Sequence, residues 1–217
     1  MHTFEPHVKP IYSLQIKAFE PCKVYSSSYD GVVRCLDLQN KQCLELYREE
    51  DKRNDGLTYI DIACDNTMMY IGNSSGSVIA YDRRDKSSEA TSYDFHDRKV
   101  THLCCHPSNA HLLATSSLDK NVKIWDCRKL NNKTLEPLST VTHGQSVTSV
   151  DWSPSGNKIL TTSLDDTCRV YSYKNGIVDE KKYVSVAHNN HTGRWISAFR
   201  AMVKQFLQLT ELSNRVL

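Results

Sequence analysis

Four stretches of the chain share one pattern of hydrophobic and polar positions. In each, a run of small and apolar residues leads into a short turn and then into a run in which apolar and polar residues alternate. Alternation with a period of two is typical of a strand with one buried face, and Asp-Gly or Ser-Gly between two runs favours a tight hairpin. The four stretches are Val24–Asp37, Met69–Asp82, Leu113–Asp126 and Ile159–Ser172.

The stretches recur at a regular interval. Their last residues, at 37, 82, 126 and 172, are separated by 45, 44 and 46 residues. A repeat of this length is typical of a four-stranded blade, and blades arranged around one axis make a β-propeller. The sequence therefore predicts an all-β protein. The predicted ranges are 1–45 for the first blade, 46–90 for a degenerate second blade, 91–135 for the third, 136–180 for the fourth, 181–202 for a basic inter-blade segment and 203–217 for a tail unrelated to the repeat.

A histidine precedes three of the turns at a nearly constant distance. The pairs are His7 with Asp30, His96 with Asp119 and His143 with Asp165, separated by 23, 23 and 22 residues. We expect each pair to form a buried hydrogen-bond network, which in the third repeat includes Trp125. General acid–base dyads are the alternative, but an enzyme needs one such site and not a copy in each repeat. The pattern therefore predicts a binding protein and not an enzyme.

Composition and cysteine usage narrow the class further. With 39% hydrophobic and 24% charged residues and a net charge of +2, the chain is typical of soluble globular domains, and no apolar run is long enough to span a membrane. The first residues lack the features of a secretory signal, so we expect a reducing compartment and eight free cysteines. Cys104-Cys105-His106 is the one cluster that suggests a metal. Because adjacent strand residues point to opposite faces, we expect small buried residues there, and no metal or other cofactor.

Positive charge is concentrated towards the C-terminus. From residue 181 to residue 217 there are six basic residues and one acid, Glu211. Such an excess suits an anionic partner, including nucleic acid, although a solvated basic surface is the alternative.

The third repeat ends in Trp125-Asp126-Cys127-Arg128. This resembles the W-D-x-R variant of the WD repeat, found in substrate receptors that dock on the damaged-DNA-binding adaptor of cullin-RING ubiquitin ligases. The resemblance implies that Asp126 and Arg128 bind the adaptor, with the planar Arg128 guanidinium facing an adaptor carboxylate. The alternative is that Arg128 pairs with an acid of its own propeller. The second repeat ends in a partly matching sequence, Tyr81–Arg84.

Longer segments carry a more specific resemblance. They are Ser27–Arg34, Lys99–Leu103, Lys123–Arg128, Ile159–Asp166, His188–Trp195 and Phe199–Ala201. Together they resemble the family of WD-repeat β-propellers that includes WD repeat-containing protein 76 and damage-specific DNA-binding protein 2. The resemblance implies a seven-bladed propeller, of which this chain spans about four blades. Because four such blades do not close a ring shaped for seven, we expect an open arc with two exposed edges.

The same resemblance implies a function in the nucleus, at DNA, in the DNA damage response. It implies that five residues contact DNA: Arg98, Lys99, Arg194, Trp195 and Arg200. The four cations would contact phosphates, and Trp195 would stack on a base or wedge between two base steps. For Trp195, a place in the core is the alternative. The expected partners are intact or damaged DNA, the cullin-RING ligase adaptor, and histones or other chromatin proteins, with no membrane. A scaffold that binds peptides or histone tails without DNA is the competing hypothesis.

The resemblance ends after Met202. The spacing of Phe206, Leu209 and Leu212 predicts a short amphipathic helix in the C-terminal tail.

Overall fold

The alternating stretches of the sequence fold as antiparallel hairpins, each extended by one further strand on either side. The computed structural model describes residues 7–49, 56–84, 90–130, 135–189 and residue 200. Within these residues the chain forms sixteen strands in four antiparallel four-stranded sheets, with one short 3-10 turn, Cys127–Lys129. No helix in the described part of the chain is long and apolar enough to cross a membrane.

Each sheet uses consecutive strands of the chain. Sheet 1 contains β1 (Ile11–Lys17), β2 (Glu20–Ser28), β3 (Val32–Asp37) and β4 (Gln42–Arg48). Sheet 2 contains β5 (Leu57–Ile62), β6 (Met68–Asn73), β7 (Ser77–Asp82) and β8 (Thr91–Asp94). Sheet 3 contains β9 (Val100–Cys105), β10 (Leu112–Ser117), β11 (Asn121–Asp126) and β12 (Ser139–Thr142). Sheet 4 contains β13 (Val147–Trp152), β14 (Lys158–Ser163), β15 (Thr167–Lys174) and β16 (Ile177–Ala187).

The hairpin between the second and third strands of each sheet has a tight turn that the sequence dictates. The residue after the turn aspartate adopts a left-handed conformation, with φ of 77° at Gly31, 74° at Lys120 and 58° at Asp166. The aspartate side chain then reaches across the turn, and Asp30 Oδ1 accepts from the Val32 backbone N–H at 3.1 Å. In sheet 2, Gly76 has a φ of 108°, and a Cβ there would lie 2.2 Å from the His96 carbonyl oxygen. Glycine is therefore required at that turn.

The chain divides into two compact units. The first unit contains sheets 1 and 2 and ends at Val100. The second contains sheets 3 and 4, together with the short segment Ala63–Asp65. Both units bury apolar side chains between their two sheets. The core of the first unit consists of Tyr25, Val33, Cys35, Leu57, Ile60, Ile62, Met69, Ile71 and Ile79. The main core of the second consists of Ala114, Val122, Ile124, Val141, Val147, Val150, Trp152, Ile159, Tyr171 and Val178.

These features confirm the predicted fold class: the described part of the chain is all-β, and its four antiparallel four-stranded sheets are consistent with a partial β-propeller. The sheets span residues 11–48, 57–94, 100–142 and 147–187, so each begins and ends somewhat later than the blade range predicted for it. Lys181 and Lys182 of the basic segment lie in β16. The predicted helix around Phe206 and the rest of the tail lie outside the described residues.

Candidate nucleic-acid and adaptor interfaces

The first His–Asp pair closes the turn end of sheet 1. His7 Nδ1 lies 3.2 and 3.0 Å from the two carboxylate oxygens of Asp30, and its Nε2 lies 2.7 Å from Ser26 Oγ on β2. The side chain of His7 is fully buried. Burial alone would raise the pKa of Asp30, but the hydrogen bond and charge of His7 outweigh burial and lower it. The network holds the segment before β1 against the β2–β3 hairpin.

The corresponding pair in sheet 4 is looser. His143 Nε2 lies 3.0 Å from Thr161 Oγ1, but His143 Nδ1 is 3.6 Å from Asp165, which is too long for a hydrogen bond. Arg169 occupies the carboxylate instead, donating to Asp165 Oδ2 at 2.8 Å. Burial and then the charge of Arg169 lower the pKa of His143 to about 4. The imidazole is therefore neutral at physiological pH.

Sheets 2 and 3 have different contacts at or near the turn between their second and third strands. His96 lies in the first unit and Asp119 in the second, and their pairing stays a prediction. Trp125 Nε1 donates to Thr115 Oγ1 at 2.9 Å, so the tryptophan of the third repeat is tied to a strand hydroxyl. In sheet 2, which lacks the histidine, the amide oxygen of Asn73 accepts from the backbone N–H of Ser75, Gly76 and Ser77 at 2.8–3.2 Å. Sequence reasoning missed this role of Asn73.

Arg98 and Lys99, the first two predicted DNA contacts, lie in the loop that precedes β9. Arg98 is exposed, while Lys99 is partly buried against two aromatic rings. The Lys99 ammonium is 4.1 Å from the ring centre of Tyr12 and 5.1 Å from that of Tyr29, and it donates a short hydrogen bond to the Tyr29 hydroxyl. Burial alone would lower the pKa of Lys99, but its interactions with Tyr29 and Tyr12 outweigh burial and raise it.

Of the three remaining predicted DNA contacts, the structure describes Arg200. Arg194 and Trp195 lie outside the described residues. Arg200 is partly exposed and belongs to the second unit. Burial, and to a smaller extent the charge of Arg200, lower the pKa of His102 on β9 to about 3. Arg200 is thus electrostatically coupled to the third sheet.

The W-D-x-R segment lies at the end of β11, opposite the turn at Asp119. Arg128 Nε and Nη2 donate to the two carboxylate oxygens of Asp126 at 3.0 and 2.8 Å. The side chain of Asp126 is buried, whereas 61% of the Arg128 side chain is exposed. The hydrogen bond from Arg128 lowers the pKa of Asp126. Arg128 therefore pairs with an acid of its own blade, and this pairing holds an exposed guanidinium in a fixed orientation.

The same arrangement recurs in sheet 2. Arg84 Nε and Nη2 donate to the carboxylate oxygens of Asp82 at 3.0 and 2.7 Å, and 66% of the Arg84 side chain is exposed. The intervening residue, Arg83, points elsewhere and contacts Glu20 and Tyr25. An Asp-x-Arg pair thus ends the third strand of both sheets.

His106 has a structural role that the sequence did not suggest. Its Nδ1 accepts from the backbone N–H of Ser108 and Asn109 at 3.2 and 3.1 Å, and its Nε2 lies 3.1 Å from the Gly156 carbonyl oxygen in sheet 4. Cys104 Sγ lies 3.4 Å from Asp151 Oδ1. Among the residues that the structure describes, no group of three or more His, Cys, Asp or Glu side chains is arranged to hold a metal ion.

Comparison with known proteins agrees with this geometry. The family model described as "WD domain, G-beta repeat" matches residues 87–126 and 135–172. Two segments of the chain therefore match the WD repeat, and the four antiparallel sheets are consistent with a partial β-propeller fold.

The similar proteins have more specific names. DNA damage-binding protein CMR1 of Phaeosphaeria nodorum is 32% identical over 222 residues, which cover 95% of this chain and 43% of the relative. CMR1 of Chaetomium globosum is 31% identical over 91% of this chain and 40% of the relative. WD repeat-containing protein 76 of Xenopus laevis is 33% identical over 93% of this chain and 35% of the relative. The predicted resemblance is confirmed, and the chain spans less than half the length of these relatives.

Proposed function

We propose that the chain is part of a nuclear, non-enzymatic WD-repeat protein that binds DNA in the DNA damage response. Relatives named for DNA damage binding are similar to more than nine tenths of the chain. The observation that carries the proposal is the placement of Lys99, a charged ammonium fixed on two tyrosines beside the exposed Arg98. Phosphate contacts supply most of the affinity of such interfaces, and a fixed cation suits them.

The other predicted residues are proposed as DNA contacts as well. Arg98 adds a second cation next to Lys99, and Arg200 and Arg194 are further cations that are predicted to contact DNA. Trp195 is assigned to a base step, where an aromatic side chain stacks on a base or wedges between two of them. The expected result is an interface whose affinity depends steeply on salt.

Fluorescence anisotropy with intact and damaged duplexes across a salt series tests the proposal. Binding should weaken as salt rises, and Arg98→Ala and Lys99→Ala should each reduce the steepness of log K against log salt by about one phosphate contact. Lys129→Ala is the matched control, because it removes one exposed positive charge at the end of a blade opposite the turn. A folded chain that binds neither duplex at low salt would support the scaffold hypothesis instead.

A second candidate function is docking on a cullin-RING ligase adaptor. It is favoured by the exposed, carboxylate-held guanidinium of Arg128 and by the same geometry at Arg84. A guanidinium fixed at one edge still presents N–H donors at the other edge, which an acidic partner accepts in a bidentate manner.

Direct binding to the purified adaptor tests this second function. Arg128→Ala should weaken binding strongly, and Arg128→Lys should fail to restore it because a lysine lacks the planar fork. Lys129→Ala, one residue further on, should bind like the wild type. Equal binding by wild type and Arg128→Ala would remove the docking hypothesis without affecting the DNA proposal.

A further inference from the structure

We infer that Tyr12 and Tyr29 are positioning residues, which hold the Lys99 ammonium in place for a nucleic-acid phosphate. The inference rests on the proposed DNA binding and adds two residues to it. Neither tyrosine is basic, and neither belongs to the W-D-x-R or His–Asp patterns, so nothing in the repeat itself accounts for them.

Three separate parts of the first unit meet at this point. Tyr12 lies on β1, Tyr29 follows β2 in the turn of sheet 1, and Lys99 lies just before β9. The tyrosine rings meet edge to face, with centres 5.5 Å apart and planes at 78°. The Lys99 ammonium lies over both rings within about 6 Å, the range in which a cation is attracted by an aromatic face.

Tyr29 is itself held firmly. Its backbone N–H donates to the Pro10 carbonyl oxygen at 3.2 Å. Its ring lies so close to Gly56 that a Cβ on that glycine would be 2.0 Å from the ring carbon Cδ1. Glycine at position 56 therefore permits the close approach that places the Tyr29 hydroxyl under the ammonium.

Among the described residues, the contacts found for the Lys99 ammonium are with aromatic rings and a hydroxyl and not with a carboxylate. Its neighbours at this point are Tyr12 and Tyr29, whereas the ammonium groups of Lys17 and Lys23 in the same unit pair with the carboxylates of Asp61 and Glu20. A carboxylate partner would have to be displaced by an incoming phosphate. A tyrosine partner only orients the ammonium.

Fixing the side chain in advance also favours binding. A free lysine side chain loses rotamer entropy when it is immobilised. In this structure the ordering accompanies folding, so less entropy is lost when a phosphate binds. The raised pKa of Lys99 means that the group remains charged throughout the physiological range.

Salt-dependent DNA titration of the full chain separates positioning from direct contact. Lys99→Ala removes a phosphate contact, so it should lower affinity and reduce the salt slope by about one contact. Tyr12→Leu and Tyr29→Phe should lower affinity about 3- to 10-fold while the slope stays as in the wild type, because the number of phosphate contacts is unchanged. Tyr12→Phe keeps the aromatic face and should restore most of the affinity.

Two results would overturn the inference. If Tyr12→Leu and Tyr29→Phe both bind DNA with wild-type affinity, the tyrosines do not position Lys99. If the salt slope of these variants falls as it does in Lys99→Ala, the tyrosines contact the phosphates directly. Absence of wild-type DNA binding would instead refute the proposed function on which the inference rests.

A measurement without DNA checks the positioning itself. The rate at which Lys99 is acetylated by a chemical reagent, followed by mass spectrometry, should be several-fold lower than that of Lys129 in the wild type. It should rise in Tyr29→Phe while the rate of Lys129 stays constant. An unchanged Lys99 rate in that variant would contradict the role of the hydroxyl.

Discussion

The two compact units share one architecture but complete the contact between their sheets with different chemistry. In the first unit, two ion pairs join sheet 1 to sheet 2: Lys17 pairs with Asp61, and Glu20 with Arg83 at 2.9 Å. In the second unit, aromatic rings and neutral histidines take that place. The repeat pattern therefore specifies each sheet, but it does not specify the side chains that join one sheet to the next. Those can be ion pairs, as in the first unit, or aromatic rings and neutral histidines, as in the second.

The charged cluster of the first unit centres on Glu20. Lys23, Tyr25 and Arg83 all hydrogen-bond to its carboxylate. Burial alone would raise the pKa of Glu20, but the three hydrogen bonds outweigh burial and lower it to about 2. Arg83 also lies over the ring of Tyr25 at 5.1 Å, which ties sheet 2 to sheet 1.

The aromatic cluster of the second unit centres on Trp152. Its ring meets those of His106 and Tyr173 edge to face, with centres 4.7 and 4.9 Å apart, and its Nε1 donates to the Cys104 carbonyl oxygen at 3.1 Å. Burial lowers the pKa of His106, so it packs as a neutral ring. The second unit is thus stabilised by groups that must remain uncharged.

Trp152→Ala should have the largest effect on this contrast. Removing a large aromatic side chain that is only 4% exposed leaves a cavity and an unsatisfied carbonyl, with an expected loss of about 3–5 kcal/mol in the free energy of unfolding. Urea unfolding followed by the fluorescence of Trp125, in the same unit, measures it. Trp152→Phe, which keeps an aromatic ring, is the control and should lose clearly less. A loss below about 1 kcal/mol for Trp152→Ala would contradict the importance given to this ring.

Arg83→Met, in the first unit, should cause the next largest loss in the free energy of unfolding. The side chains of Arg83 and Glu20 are only 13% and 15% exposed, so removing the guanidinium leaves a poorly solvated carboxylate. We expect a loss of about 2–3 kcal/mol, below that for a fully buried pair. Hydrogen exchange of peptides from sheets 1 and 2 measures the change. Combining Arg83→Met with Glu20→Gln should recover part of the loss, and strict additivity would argue against a coupled pair.

Mild acid should distinguish the units without mutation. His143 and His102 have pKa values lowered to about 4 and about 3, from the usual histidine value of 6.5, so the unfolded state binds more protons below pH 6.5. Stability therefore falls as pH falls from about 6.5 towards 4, and His143 alone should account for about 1–2 kcal/mol by pH 5. Glu20 instead loses its contribution between about pH 4.5 and 2.

Urea unfolding at a series of pH values, followed by the fluorescence of Trp125 and Trp152, checks this prediction for the second unit. His143→Asn is the comparison variant, and it should reduce the dependence on pH by about one proton. A midpoint that does not change between pH 7 and pH 5 would refute the role given to the neutral histidines.

Lys23→Met should have the smallest effect and serves as the counterpart of Arg83→Met. Lys23 also contacts Glu20, but its side chain is 41% exposed, so solvent replaces the lost partner. We expect a change within about 0.5 kcal/mol, measured by the same hydrogen-exchange experiment. A loss as large as that of Arg83→Met would mean that the number of partners, and not burial, decides the stability of the cluster.

The sequence predicted the strands and the turn residues because these depend on local periodicity. It also placed His7 and Asp30 at a spacing that the fold brings within hydrogen-bond distance. The same spacing does not determine how His143 and Asp165 interact, because Arg169 binds Asp165 from a neighbouring position on β15. One-dimensional spacing does not show which of several partners a carboxylate takes.

Contacts between sheets were harder to predict. The sequence did not indicate that His106 joins the turn of sheet 3 to Gly156 in sheet 4, 50 residues away. Lys99 was predicted to contact DNA from family resemblance, but its contacts with Tyr12 and Tyr29 connect positions 70 or more residues apart. Such contacts arise only when two sheets face each other, and no pattern within a single repeat encodes them.

The Asp-x-Arg pair of sheet 2 has an electrostatic consequence. Arg84 follows β7 at one end, while Lys99 lies in the loop that packs on the Gly76 turn at the other end. The six residues of β7 separate the two ends by ~20 Å, which is more than twice the ~8 Å screening length of physiological salt. A charge at one end therefore has little electrostatic effect at the other, so the DNA contact proposed for Lys99 and the adaptor contact proposed for the Asp-x-Arg pairs would not compete through their charges.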